Sequence, residues 1–297
     1  MKLPFASTLL LSLGIVAPGF ATPLVGVELA RFSVLAGGYA TYGAGANVSG
    51  EVGATSYITG GAGSNSAADR TNTVSVTGAL GEMAAAQIAL NNMGTGTVLG
   101  ATMAGNQTLI PGVYSASALT TAAGTILTLD GGGADNPYWI FNIPTYLVTG
   151  ASTKIDVVNA GANASVVWNT GGYFSMGAGT SFLGTVMSGA YITQGAGSKF
   201  QCGNLFAASY VAISAGSHVS STNCHGNATW AGSESGLGAG LDIVDGAVQA
   251  RLALPRLLLV ESAGQAEPVP VPEPGTIAML LLGLGLITVL GGFRRAA

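Results

Sequence analysis

The sequence has little charge and few of the side chains that carry catalysis. Only 7% of its 297 residues are charged, with 9 Lys and Arg against 13 Asp and Glu, and the formal net charge is -4. Because binding to nucleic acid needs clustered positive charge, this composition argues against a nucleic-acid partner. The only histidines, His218 and His225, lack the spacing of a catalytic triad or of metal ligands, and Glu82 is an isolated carboxylate. We therefore expect no enzymatic activity, no cofactor and no metal site.

The N-terminus has the layout of a secretory signal peptide. Lys2 precedes an apolar run at residues 9–16, and small residues stand at Gly19 and Ala21. We expect residues 1–21 to be cleaved and the rest of the chain to be exported. An uncleaved membrane anchor is the alternative, and it is less favoured because the run is shorter than the roughly 17 to 25 residues that span a bilayer.

The C-terminus combines a Pro-Glu-Pro motif, an apolar run at residues 277–293 and a closing pair of arginines. The motif and the pair are Pro272, Glu273, Pro274, Arg294 and Arg295. In this order, residues 271–297 resemble the PEP-CTERM sorting signal of Gram-negative bacteria. The resemblance implies recognition by an exosortase, transient anchoring in the inner membrane through residues 277–293, and removal of the segment. The positive-inside preference independently places the arginines on the cytoplasmic side. Because the segment is expected to be removed, we expect the protein at the cell surface or outside the cell. A permanent single-span anchor is the alternative.

Glycine is abundant, with 47 residues, and it marks a repeat. One six-residue motif occurs at residues 177–182 (GAGTSF), 195–200 (GAGSKF) and 214–219 (SAGSHV), with steps of 18 and 19 residues. A period in this range predicts a β-solenoid, because each coil must bury its inner side against the next coil. Two columns of apolar residues are expected to stack inside the coils. They are Phe174, Ile192 and Val211, and Phe182, Phe200 and Val219.

Outside this repeat, one segment predicts a helix and two predict irregular structure. Residues at about 80–93 are good helix formers and are followed by Gly94, a stop signal. Residues 46–78 are expected to form a loop or a cap over one end of the coils. Residues 226–270 contain Gly, Ser and Pro stretches typical of a linker. The solenoid domain is therefore assigned to residues 22–225.

Cysteine is nearly absent. The chain has an even number of cysteines, Cys202 and Cys224, and is expected to reach an oxidising compartment, where disulfides form. One interpretation is a disulfide that closes the last coil. The other is a pair of buried free thiols, because the sequence does not establish that the two Cβ atoms meet.

Six segments with strand character occur in a fixed order along the chain. They are residues 29–37, 108–114, 127–130, 139–143, 166–168 and 179–184. In this order, with the helix in the expected place, they resemble the microbial ice-binding-like family over residues 26–221. The resemblance implies a mainly β fold, a right-handed parallel β-helix (β-solenoid) with three faces and one long α-helix packed alongside.

The resemblance also implies an active surface that is a flat solenoid face with rows of small residues. Parallel coils hold equivalent side chains about 4.8 Å apart and alternate residues of one strand about 6.6 Å apart, near the spacings of an ice lattice. The candidate residues are Thr153, Ala178, Thr180, Ser181, Ala196, Ser198, Ala215 and Ser217. Lys154, Lys199 and His218 stand beside them and fit such a surface poorly. Small residues are also what tight solenoid corners require, which is the alternative explanation.

Two functions follow as hypotheses. In the first, the exported protein binds ice or ordered water through this face and restrains ice growth or recrystallisation. In the second, the same scaffold is a non-ice protein of the cell surface or extracellular matrix that associates with an extracellular polymer. Ice shaping by the purified domain distinguishes them.

Overall fold

The computed structural model describes residues 21–61, 65–221, 224–233, 236–238 and 240–251 of the chain. This part is mainly β, with one α-helix and one short 3-10 helix. The predicted sorting signal and all but the last residue of the predicted signal peptide lie outside it. Among the helices it contains, none is both long and apolar enough to cross a membrane.

The strands are short and follow one another at close intervals. Those before the helix are β1 (Thr22–Pro23), β2 (Phe32–Ala36), β3 (Ala40–Tyr42), β4 (Asn47–Ala54), β5 (Ile58–Gly60) and β6 (Asn65–Thr71). The 3-10 helix is Leu29–Arg31, and the α-helix, α1, is Val74–Asn91. The next nine are β7 (Thr97–Val98), β8 (Thr102–Met103), β9 (Asn106–Leu109), β10 (Gly112–Ser115), β11 (Leu119–Thr121), β12 (Ile126–Ala134), β13 (Tyr138–Ile143), β14 (Leu147–Val148) and β15 (Lys154–Ala160). The last eleven are β16 (Ser165–Thr170), β17 (Phe174–Met176), β18 (Ser181–Leu183), β19 (Thr185–Ser188), β20 (Ile192–Gln194), β21 (Lys199–Gln201), β22 (Leu205–Ala207), β23 (Val211–Ile213), β24 (His218–Val219), β25 (Leu241–Val244) and β26 (Ala247–Ala250).

Strands three apart in the sequence pair in parallel, which produces three ladders. Ladder A is an eight-stranded sheet in the spatial order β8, β11, β14, β17, β20, β23, β3, β5. Ladder B runs β9, β12, β15, β18, β21, β24 and the first part of β4. Ladder C runs β7, β10, β13, β16, β19, β22, β2 and the last part of β4. Ladders B and C form one sheet because β4 belongs to both, and β6 extends β4 beyond them.

The two predicted apolar columns are confirmed. Phe182, Phe200 and Val219 are Cα partners in successive coils of ladder B, and each is at most 1% exposed. The other column is in register in ladder A and is equally buried, at Phe174, Ile192 and Val211. Full burial of such a side chain stabilises the fold by about 1.5 to 3 kcal/mol. One or two buried side chains in each coil of a ladder therefore help to offset the entropy lost on ordering a glycine-rich backbone.

The first coil of the chain stacks on the last one. Strands β2, β3 and β4 pair with β22, β23 and β24, while α1 connects β6, at one end of the ladders, with β7 at the other. The prediction of a loop for residues 46–78 is therefore wrong, because β4, β5, β6 and the start of α1 occupy most of it. These strands have weak local strand signals. Asn47 of β4 pairs with His218 far along the chain, while β5 and β6 pair with strands that begin 18 residues before them. Their position at the end of the ladders agrees with the expected cap.

The helix begins at Val74, earlier than the predicted start near residue 80. Thr73 caps it, since its hydroxyl oxygen accepts a hydrogen bond from the Val76 backbone N–H at 3.3 Å. Burial of Val76 and Ala79 outweighs the poor helix propensity of the first turns. The helix packs on outward-pointing residues of ladder C. They are Leu35, Ile140, Val167, Met187 and Phe206, all fully buried.

Part of the predicted linker at residues 226–270 is structured, which corrects that assignment. Strands β25 and β26 form an antiparallel hairpin, and β1 pairs with β25. Leu241 and Val248 pack with the residues beneath the helix. The turn of this hairpin is Asp245-Gly246, both with positive φ, a dipeptide that favours tight hairpins.

Candidate functional site

The outer side of ladder A carries one row of small uncharged residues, which we call the threonine row. In its three-residue strands the two flanking residues are mostly buried and point inward, so the middle residue points outward. The row is continuous through eight coils, each member being the Cα partner of the next. In spatial order it is Thr102, Thr120, Val148, Ser175, Thr193, Ala212, Thr41 and Thr59.

A second row on the same side, the tyrosine row, lies two residues earlier in each of six coils. Its members, in spatial order, are Tyr146, Tyr173, Tyr191, Tyr210, Tyr39 and Tyr57. Neighbouring rings stack with centroids 4.9–5.3 Å apart and interplanar angles of 2–15°. Alternate residues of a strand point to the same side, so the two rows run side by side about 6.6 Å apart.

Hydrogen bonds link hydroxyls within the threonine row, and burial keeps a phenol of the tyrosine row protonated. The Thr193 hydroxyl donates to Ser175 Oγ at 3.0 Å, and the hydroxyls of Thr102 and Thr120 lie 3.1 Å apart. Burial, followed by the neighbouring phenols of Tyr191 and Tyr39, raises the pKa of Tyr210. The surface is therefore hydroxyl-bearing and uncharged at neutral pH.

Beyond the threonine row, ladder A turns a corner that is formed by glycines. A Cβ on Gly177, Gly195 or Gly43 would lie 2.4–2.6 Å from backbone atoms of the adjacent coil. Only glycine allows the coils to approach this closely. At these three positions no side chain projects next to the threonine row, and the equivalent positions after Thr102, Thr120 and Ala212 carry only the small residues Ala104, Ala122 and Ser214, which keeps the surface nearly flat.

The structure corrects the predicted hydroxyl residues. Thr153, Thr180, Ser198 and Ser217 are at most 1% exposed and point into the coils. Their hydroxyls donate to carbonyl oxygens of the corner, as when Thr180 Oγ1 donates to the Gly150 carbonyl at 3.1 Å. Each follows a residue with positive φ, which is Ser152 before Thr153 and a glycine (Gly179, Gly197 or Gly216) before the other three, and this turn of the backbone directs the next side chain inward. They stabilise the corner and cannot contact an external ligand.

The other predicted residues are accessible but do not join the two rows. Ala178, Ala196 and Ala215 are exposed at the corner between ladders A and B. Ser181 is half-buried on ladder B, in a column with Lys154, Lys199 and His218.

The outer sides of the three ladders differ in their charge and in whether the helix covers them. Lys154 forms an ion pair with Asp156, at 2.6 Å, on the outer side of ladder B, which also carries Lys199. Ladder C is covered by α1. Ladder A thus presents a flat, uncharged and repetitive surface, and we take its two rows as the candidate site. The sequence contains a signal for it, since Tyr recurs two residues before Thr or Ser at residues 39–41, 57–59, 173–175 and 191–193.

The cysteines are buried free thiols, the second of the two expected alternatives. A side-chain hydrogen bond with Cys224, together with burial, raises the pKa of Cys202 well above its usual range. The two side chains are therefore in contact. Among the described residues, no three His, Cys, Asp or Glu side chains cluster as metal ligands would.

Comparisons with known proteins agree with the fold and confirm both resemblances found in the sequence. The chain matches the model of the ice-binding-like family over residues 35–217 and that of the PEP-CTERM protein-sorting motif over residues 270–295. It is 28% identical over 191 residues to an ice-binding protein of Nostoc sp. (strain HG1), a match that covers 64% of this chain and 56% of that protein. The chain thus spans little more than half the length of this relative.

Two solved structures share the fold. One is the crystal structure of an ice-binding protein from the Antarctic ascomycete Antarctomyces psychrotrophicus, with a TM-score of 0.58 and 27% identity, covering 69% of this chain and all of that one. The other is a domain of ice-binding protein 1 from Shewanella frigidimarina, with a TM-score of 0.55 and 24% identity, covering 68% of this chain and 98% of that one. Because the family model matches more than half of the sequence and these folds agree, the chain belongs to the ice-binding-like family.

Proposed function

We propose that this protein adsorbs to ice through the outer side of ladder A and restrains ice growth or recrystallisation. The observation that carries the proposal is the threonine row, which continues in register through eight coils. Membership of the ice-binding-like family and its similarity to proteins named ice-binding proteins support it. The role is binding, and no catalytic step is part of it.

The physical basis is a rigid array of small groups. Threonine offers a methyl group and a hydroxyl group, so a row of them can hold water in place without the strong hydration shell of a charge. The array is fixed in advance by the sheet, so little side-chain entropy is lost on binding. We also infer that ladders A, B and C are the three faces of a right-handed parallel β-helix, which the parallel pairing within each ladder supports.

The second hypothesis, association with an extracellular polymer, is less favoured. Ladder B offers a mixed charged surface of the kind a polymer could use, but Lys154 is already paired with Asp156. The matched relatives are named ice-binding proteins.

We further propose that the protein is exported by its signal peptide, residues 1–21, and processed by an exosortase at residues 271–297. Residues 277–293 would hold it in the inner membrane until then. The match to the sorting motif supports the exosortase. Detection of the cleaved chain outside the inner membrane, and its retention there when Pro272, Glu273 and Pro274 are replaced by alanine, tests this route.

The test of ice binding compares two matched substitutions. Thr193→Tyr places a bulky ring in the middle of the threonine row, and we expect loss of ice shaping and of recrystallisation inhibition. Ser181→Tyr places the same ring on ladder B and should leave both unchanged. Equal activity of the Thr193 variant and the unmodified protein, with both folded by circular dichroism, would remove ladder A as the binding surface.

A further inference from the structure

We propose that the tyrosine row is a second ice-contacting row, which makes the binding surface two rows wide. This rests on the proposed function of ladder A. The ligand is the same ordered water or ice surface, and the new element is the set of six phenol side chains that bear on it.

The row keeps the period of the coils, since adjacent strands of a sheet lie about 4.7 to 4.9 Å apart. Successive centroids along it are 5.3, 5.0, 4.9, 5.0 and 5.0 Å apart. Aromatic contacts in the core follow no such period: Trp168 and Phe182 are tilted by 49°, and Phe182 and Phe200 lie 5.7 Å apart. The constant repeat of the tyrosine row along the solenoid suits a periodic ligand.

The tyrosines are accessible and rigid. The first five are half-buried, and Tyr57, at the end of the row, is 48% exposed. The four inner rings stack against two neighbours, and the two end rings, Tyr146 and Tyr57, against one, which holds the ring edges outward. Tyrosine also has few rotatable bonds to immobilise. Each ring thus presents an apolar edge and one hydroxyl, the same pair of groups that a threonine presents.

The two rows also complement each other. The threonine row lacks a hydroxyl at Val148 and at Ala212, and those coils carry Tyr146 and Tyr210 two residues earlier. The two coils without a tyrosine carry Thr102 and Thr120. Every one of the eight coils therefore offers at least one hydroxyl on this side, which neither row achieves alone.

The experiment separates contact from packing. The triple variant Tyr173→Phe, Tyr191→Phe, Tyr210→Phe keeps the stacked rings and removes three hydroxyls. In the mature protein, produced from the full-length chain and purified after export, we expect thermal hysteresis to fall by more than half at equal concentration, with an unchanged Tm. We also expect fluorescently labelled protein to accumulate on different ice planes. Tyr138→Phe, on β13, is the control and should change neither the thermal hysteresis nor the ice planes on which the protein accumulates.

A second variant covers the case in which hydroxyls alone matter little. Tyr191→Lys puts a hydrated charge into the row, and we expect it to abolish ice shaping. If both row variants retain full hysteresis and the same ice planes while Thr193→Tyr is inactive, the tyrosine row is structural and this proposal is wrong, while the function of ladder A stands. If the unmodified protein does not shape ice at all, both proposals fail.

Discussion

Removal of the Phe200 ring should destabilise the domain strongly, because this ring fills the centre of a stacked column. Phe200 is fully buried and lies between Phe182 and Val219 in adjacent coils. The Phe182 ring is 5.7 Å away, and both neighbours are fixed by their own coils. The structure around the site therefore cannot collapse to fill the space, which places Phe200→Ala in the range of about 3 to 5 kcal/mol.

The loss can be measured by equilibrium unfolding in urea. Trp168 lies 4.9 Å from Phe182, so its fluorescence reports on the same column. For a domain of this size, the expected loss corresponds to a Tm lower by roughly 10 °C. Phe200→Leu is the matched control, since it keeps most of the volume and should cost only about 1 kcal/mol. A loss below about 1 kcal/mol for the alanine variant would show that the column is not tightly packed, and the stacking of coils would have to be reconsidered.

Three further predictions concern the cysteines, one corner and one ion pair. Oxidised glutathione should link Cys202 and Cys224 in a disulfide and add roughly 3 kcal/mol to the free energy of unfolding. Loss of free thiols would show the disulfide, and urea titrations with and without reductant would measure the gain. Equal stability of the oxidised and reduced forms would contradict this prediction. Gly195→Ala should cost about 1 to 3 kcal/mol because its Cβ would lie 2.6 Å from the neighbouring backbone, and a urea midpoint equal to that of the unmodified protein would argue against the close approach. The hydrogen bond from Arg70 lowers the pKa of Glu51, so this carboxylate stabilises the fold above its unfolded pKa and the contribution is lost as the pH falls through the lower folded value. The Tm difference between Glu51→Gln and the unmodified protein should therefore be present at pH 7 and vanish in acid, and a difference that persists in acid would mean that packing is responsible.

The core could be predicted from the sequence because its signal is local. Phe182 and Phe200 stand at the same place in adjacent copies of one motif, and coils that follow each other in the chain also follow each other in space. The surface could not be assigned in the same way. Thr180 and Ser198 repeat as regularly as the residues around them, but repetition does not say which side of the backbone a residue occupies. A displacement of one residue reverses the side, and the positive φ of Gly179 and Gly197 decides it.

The N-terminal strands were missed for a different reason. Apart from Val48 and Val52, the residues of β4 are small or polar, and its partner β24 lies far along the chain. The step from Asn47 to Asn65 in β6 is 18 residues, the period of the repeat, but no large apolar residue recurs in these two strands to mark it. The β25–β26 hairpin, in contrast, has a local signal in Asp245-Gly246 that indicates a tight turn.

The stacking of the first coil on the last has a consequence for biogenesis. The Asn204 side chain donates to the Phe32 carbonyl at 2.7 Å, across 172 positions of sequence. A polypeptide that crosses a membrane N-terminus first would deliver Phe32 long before its partner, so β2 would keep an open edge until nearly all of the domain had been translocated. Maturation would then end with a ring closure between the oldest and the newest parts of the polypeptide, and shielding that edge in the meantime would fall to other cellular factors.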